Sequence, residues 1–85
     1  MPGTELDEVL ALAKLRRQLP PPSVRRSIRE AAELSQLDVA RGLGVTPTSV
    51  SRYEAGQREP RDPVLLARYV ELLRRLMREG VANAS

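Results

Sequence analysis

The sequence predicts an all-α protein of five helices, and three observations carry that reading. Apolar residues recur at helical spacing, as in Val39, Ala40 and Leu43 and again from Leu65 to Met77. Helix-starting residues precede the apolar blocks: Thr4 with Asp7, Ser23, Ser35 with Asp38, Thr46-Pro47 and Asp62-Pro63. The third observation is composition. Phe, Trp and Cys are absent, so a chain of 85 residues must build one small core from Leu, Val, Ile and Ala, with no disulfide or cysteine-held metal to staple it.

The first helix opens at a capping box of Thr4 and Asp7 and runs to Pro20-Pro21-Pro22. It is apolar on two sides, with Leu6, Val9, Leu10 and Ala13 on one stripe and Leu12, Leu15 and Leu19 on another. One stripe can cover the chain's own core. The other needs either further wrapping by the same domain or a partner, for which a symmetry mate is the simplest candidate. The three prolines hold extended polyproline geometry and fix an angle. Ser23 then caps a second helix, Val24 to about Glu33, with Val24, Ile28, Ala31 and Ala32 inward. Arg25, Arg26 and Arg29 crowd its start, where bases oppose the helix dipole unless an anion or a carboxylate compensates.

Gln36 to Gly56, QLDVARGLGVTPTSVSRYEAG, reads as two short helices joined by a tight turn. Ser35 and Asp38 cap the first of them. Gly44 suits the turn because it accepts positive φ without steric cost, and Val45 reaches back into the crevice between the helices. Thr46 caps the second and Pro47 begins it, since the missing N–H is one the helix could not bond internally. Val50 and Tyr53 point inward, leaving Pro47, Thr48, Ser51 and Arg52 outside. Gly56 ends this helix and GQREPRD forms a loop. Asp62-Pro63 starts a long last helix to about Glu79, with Leu65, Leu66, Tyr69, Val70, Leu72, Leu73, Leu76 and Met77 on one side.

In these residues the chain resembles the phage repressor and Cro-type helix-turn-helix family of DNA-binding domains, the lambda-repressor-like or xenobiotic response element family. LSQLDVARGLGVTPTSVSRYEAGQREP carries, in order, the Leu-Ser-Gln opening, the Ala, Gly and Val of the turn, Ser-Arg-aromatic-Glu, a Gly and a Pro. The similarity extends upstream to Val24 and Ile28 and more loosely downstream to LLARYVELL, leaving Leu6 to Pro22 outside it. It implies a lambda-repressor-like domain with an extra N-terminal helix and a long C-terminal one, the former standing in for the family's missing last helix. It also implies an Arg29–Glu54 ion pair and a Gln36 that contacts phosphate and braces the recognition helix. Three residues depart from the pattern. Glu33 stands where glycine usually ends the helix, at a cost of roughly 1 kcal/mol if it keeps the left-handed conformation. Leu37 stands where a polar, exposed residue is normal, which hints that the first helix or a partner covers it. Pro47 replaces a residue that is often polar.

What the resemblance implies for function follows residue by residue. Helix 47–55 would enter the major groove, with base contacts from Pro47, Thr48, Ser51 and Arg52. Arg52 can grip guanine O6 and N7 bidentately, the hydroxyls discriminate less, and Pro47 offers an apolar contact at most. Phosphate contacts are expected from Arg25, Arg26, Gln36, Ser49, Arg58 and Arg61, which position without specifying. Taken singly, each of these residues also has an ordinary reading as a first-turn or solvated side chain. Their joint placement on one motif is what favours function.

Composition agrees. The net charge is +3 and the pI about 10.2, and Lys14 is the one lysine among 14 basic residues. Arginine's planar fork suits phosphate and guanine edges, although high-GC coding bias yields the same preference, so position says more than number. Without His, Cys, clustered carboxylates or a glycine-rich phosphate loop, the sequence offers no catalytic residues, metal site, cofactor or small-molecule substrate. Its apolar runs are too short for a membrane span, and a cytoplasmic setting is expected. The reading is a transcriptional regulator of the repressor or Cro kind, binding double-stranded DNA as a homodimer. The alternative is an antitoxin-like module that neutralises a protein partner and autoregulates through the same motif. Residues 1–22 form the N-terminal helix and proline joint, 23–80 the DNA-binding domain with its long last helix, and 81–85 a tail.

Overall fold

The computed structural model describes residues 2–84, with side chains from Glu5 to Glu79. Five helices follow one another: α1 Pro2–Gln18, α2 Pro22–Ala31, α3 Gln36–Leu43, α4 Pro47–Ala55 and α5 Pro63–Ala84. No strand occurs among the described residues, so the all-α expectation holds. Helix α5 is the spine. It packs against α1, α2 and α3, while α4 lies across α2 and α3. The core where these meet comprises Ile28, Val39, Ala40, Leu43, Val50, Tyr53, Leu66, Tyr69, Val70 and Leu73, with Leu19 and Leu76 at its α1 side. Tyr53 and Tyr69 stack at a tilt of 42° with ring centroids 5.5 Å apart. No helix among the described residues is long and apolar enough to cross a membrane.

Prolines move two helix starts upstream of the expected caps. Helix α1 begins at Pro2, so Thr4 lies within it rather than at its N-cap. Helix α2 begins at Pro22 behind an extended Pro21 (φ −56°, ψ 151°), which places Ser23 inside the first turn and leaves the start without a side-chain cap. The reason is that a proline at the first helical position has no N–H to orphan and a φ already set for helix. At the other end, α5 runs through Gly80 to Ala84, beyond the expected stop at Glu79. A glycine inside a helix costs only about 1 kcal/mol, and none of the left-handed geometry that ends α3 and α4 occurs there.

The phase of α2 also differs from the apolar pattern. Its inward face is Arg25, Ile28, Arg29 and Ala32, at helical spacing, while Val24 and Ala31 are exposed. Two arginines therefore stand on the inward face, where the apolar pattern placed only aliphatic residues. In α1, Leu12 and Leu15 are half-buried and Leu19 fully buried, but Leu6, Val9 and Leu10 remain 61%, 61% and 53% exposed. Leu37 is exposed as well, so α1 does not cover it.

Three helix ends share one device. After α2, Leu34 N–H donates to the Arg29 carbonyl (3.2 Å) and Glu33 N–H to Glu30 (2.9 Å). After α3, Val45 and Gly44 donate to Ala40 and Arg41, and after α4, Gln57 and Gly56 donate to Arg52 and Tyr53. Each is a Schellman closure, which requires a left-handed residue. Gly44 and Gly56 supply it at φ 73°, and Glu33 supplies it at φ 58°. The chain thus retains the usual joint and bears the strain of a side chain there.

The two glycines are not equivalent. A Cβ on Gly44 would meet open space, whereas one on Gly56 would lie 2.9 Å from Pro22 Cγ. Gly44→Ala should cost about 1 to 2 kcal/mol, a fall in Tm of roughly 4 to 15 °C for a domain this small. Gly56→Ala should cost clearly more, because the joint must also shift. Glu33→Gly should instead stabilise by about 0.5 kcal/mol, the released strain exceeding the added unfolded-state freedom. Thermal unfolding of the three variants checks the order.

Burial acts on Tyr69 too, pushing its phenol up to about 12 from an ordinary 10. The fold prefers the protonated form. Stability from this group is therefore complete below pH 10 and lost as pH rises through 12, to the extent of about 2 to 3 kcal/mol. Tyr69→Phe should flatten that alkaline decline in denaturant unfolding measured across the same window.

Candidate nucleic-acid interface

The sequence around α4 sets its orientation locally. Thr46 is extended (φ −88°, ψ 155°) and its Oγ1 accepts the Ser49 N–H at 3.1 Å, with Pro47 at the first helical position. Val50 and Tyr53 are buried, and so is Glu54. Pro47, Thr48, Ser51 and Arg52 are all exposed on the outer face. Helix α3 packs against α4 through the Gly44-Val45 turn, with Val45 partly buried against the core. Ser35 caps α3, accepting from Asp38 N–H while Asp38 accepts the Ser35 N–H at 2.8 Å. The Ser35 N–H, and after it the Ser35 hydroxyl, hold the Asp38 carboxyl below its usual range.

Glu54 is the one carboxylate on α4, and it is consumed internally. Arg29 Nε and Nη2 donate to its two oxygens at 2.6 and 3.0 Å, and Arg29 Nη1 donates to the Leu34 carbonyl at 2.8 Å. Gln36 Nε2 donates to Glu54 Oε1 at 3.2 Å. This bidentate pair, with both side chains nearly buried, raises the Arg29 guanidinium above its ordinary pKa, chiefly through the hydrogen bonds to Glu54. It ties α2, the start of α3 and the end of α4 into one unit.

Arg25 is a correction. Expected on the surface against phosphate, it is 3% exposed, and its donors go to protein: Nε to the Pro20 carbonyl (2.6 Å), Nη1 to the Tyr53 carbonyl (3.0 Å) and Nη2 to Glu59 (2.9 Å). It holds the proline joint, the last turn of α4 and the following loop together. Pro60, fully buried in that loop, anchors it from the other side. The pattern Arg25, Ile28, Arg29, Ala32 was a visible clue to an inward face, but Glu59 and the Tyr53 carbonyl are distant in sequence, so nothing local names the partners.

The remaining expected residues lie near the surface. Arg26 is exposed and 3.5 Å from Glu30 one turn on. Arg58 and Arg61 are exposed in the loop after α4. Ser49 is half-buried, its hydroxyl 3.1 Å from that of Thr46. Arg52, Arg58 and Arg61 make no ion pair among the described residues.

Residues 26–67 match the model of a helix-turn-helix family, a span that starts in α2 and ends in the second turn of α5. The chain carries a Cro/C1-type helix-turn-helix domain. The family is one of DNA-binding transcription regulators. No curated protein and no solved structure matches the chain. Helix α1 and most of α5 lie outside the matched span.

Because both partners of the Arg29–Glu54 pair are desolvated, removing one leaves the other charge buried alone. Arg29→Met and Glu54→Gln should each cost about 3 to 5 kcal/mol, and the double variant should cost much less than their sum. Denaturant unfolding of the four proteins in the cycle measures the coupling.

Proposed function

We propose that this protein is a repressor or Cro-like regulator that reads operator DNA in the major groove with α4 and works by occupancy. The observation that carries the reading is the outer face of α4, where Pro47, Thr48, Ser51 and Arg52 are exposed while its carboxylate is neutralised from within. A helix so presented fits the groove, and its N-terminal half meets base edges. Arg52 is the principal reader. Thr48 and Ser51 add hydrogen bonds to whichever base edge they meet, and Pro47 an apolar contact.

Phosphate contacts in this reading come from Arg26, Arg58 and Arg61, with Ser49 at the first turn of α4. Gln36 keeps a second amide hydrogen after serving Glu54, and an amide nitrogen can give both. It thus links a phosphate to the brace behind α4. Arg25 is left out of the contact set and instead positions the loop that bears Arg58. The functional unit is a homodimer on a two-fold-related site, with half-sites about one helical turn apart, roughly 34 Å. The bare stripe of α1 also favours a second reading, in which a different protein seats there and the same motif autoregulates; co-purification of such a protein would support it.

Reading and positioning should fail differently. Arg52→Ala should lose about 1 to 3 kcal/mol on the preferred operator and leave affinity for random duplex nearly intact. Arg58→Ala should weaken both duplexes alike and lower the magnitude of the salt slope by about 0.9. Titrations against operator and scrambled duplex at several salt concentrations make the comparison. Equal weakening on both duplexes by Arg52→Ala would make it a phosphate clamp and overturn the assigned reading face.

A further inference from the structure

The exposed side of α1 is organised as well as apolar. Leu6, Val9, Leu10 and Ala13 fall on one face at helical spacing, all exposed, with α1 packed along α5 through its opposite side. Charges line both edges of this stripe. Glu5 and Arg16 are eleven residues apart on one edge, and Asp7 and Lys14 seven apart on the other, each spacing close to a whole number of turns. Each edge therefore carries an acid towards the N-terminal end and a base towards the C-terminal end. All four side chains are exposed, and none of them makes an ion pair among the described residues.

We infer that the α1 stripe docks against the α1 stripe of a second copy, with the two helices antiparallel. A two-fold axis perpendicular to both helices brings each edge against the same edge of the other copy, reversed. Glu5 then faces Arg16 of the second copy, and Asp7 faces its Lys14. In the same arrangement Leu6 packs on Ala13 near the centre of the seam, while Val9 meets its own counterpart on one side and Leu10 meets its own on the other. The two registers differ by about 3 Å along the helix, a distance that the long Lys and Arg chains span. A parallel pair would set acid against acid and base against base. The antiparallel one also aligns opposed helix dipoles favourably.

Placement supports the same occupant. Helix α1 packs on α5, so pairing through its far side leaves the outer face of α4 uncovered. The apolar stripe spans about two turns, too little for the roughly 800 Å² per partner of a standard stable interface. The pair is accordingly weak in isolation and strengthened where two copies are held on one duplex. This inference gives a geometry to the proposed homodimer, yet the contact itself does not require that the ligand be DNA.

Cysteine cross-linking gives the test, because the native chain has no cysteine. In the antiparallel pair the two Leu6 positions are about 10 Å apart along the helices, beyond the roughly 7 Å reach of a disulfide. Oxidation of Leu6→Cys alone or Ala13→Cys alone should give little covalent dimer, and an equimolar mixture should give much. Sedimentation of the full chain should show Glu5→Arg and Arg16→Glu each weakening self-association about tenfold at low salt, and the double variant restoring it. Ready self-linking of Leu6→Cys would overturn the antiparallel geometry. A monomer at about 100 μM with no linking in the mixture would overturn the pairing altogether. A charge-swapped chain that fails to recover would do the same, since a different occupant would not follow the swap. None of these readouts uses DNA, so failure of the α4 reading is recognised separately, by loss of operator binding in a chain that still links.

Discussion

The rest of the structure depends on the bidentate ion pair between Arg29 and Glu54. A buried carboxylate is costly, and it is tolerated here because its oxygens take bonds from Arg29 and Gln36 while the spare guanidinium donor reaches the Leu34 carbonyl. Those four residues belong to α2, the turn after it, the start of α3 and the end of α4. One charge cluster thus fixes the angle at which α4 leaves the core. It also has an outward effect, for a free carboxylate on α4 would repel phosphate, and the pairing removes it from the face that the proposed function uses.

How much of this was legible depends on how local the cause is. The α3–turn–α4 unit was legible almost residue for residue, because Ser35, Gly44, Thr46, Pro47 and Gly56 act on their own neighbours. The outward face of α4 followed from Val50 and Tyr53 alone. The phase of α2 was not legible from apolar periodicity, which ranks Val24 above Arg25. The contacts that make Arg25 an interior residue lie 28 and 34 positions away, in Tyr53 and Glu59. The Arg29–Glu54 contact is just as distant in sequence, and only the family resemblance suggested it in advance. Helix starts were misplaced for a simpler reason: at Pro22 the ring itself does what a capping hydroxyl does elsewhere.

The joint between α1 and the DNA-binding unit follows the same logic. Pro22 lies so close to Gly56 that no side chain fits there, and Arg25 binds the carbonyls of both Pro20 and Tyr53. Three prolines alone would fix a direction only relative to themselves. Anchored on the last turn of α4, they fix α1 relative to α4. Any pairing made through α1 is thereby transmitted to the spacing of two α4 helices, which a flexible connection would not achieve.

Burying two arginines also bears on how tightly one copy can hold a duplex. With Arg25 and Arg29 committed to Glu59 and Glu54, the charged phosphate contacts of the proposed reading reduce to Arg26, Arg58 and Arg61, and Arg26 is shared with Glu30. Counterion release then gives a slope of about −2.7 per copy, a small electrostatic contribution at physiological salt. Two copies held in fixed relation roughly double that slope, and the second engages its half-site as an intramolecular event. A chain that spends its arginines on rigidity in this way has to recover affinity through symmetry, which is the physical reason to look for the second copy on the apolar face that α1 leaves bare.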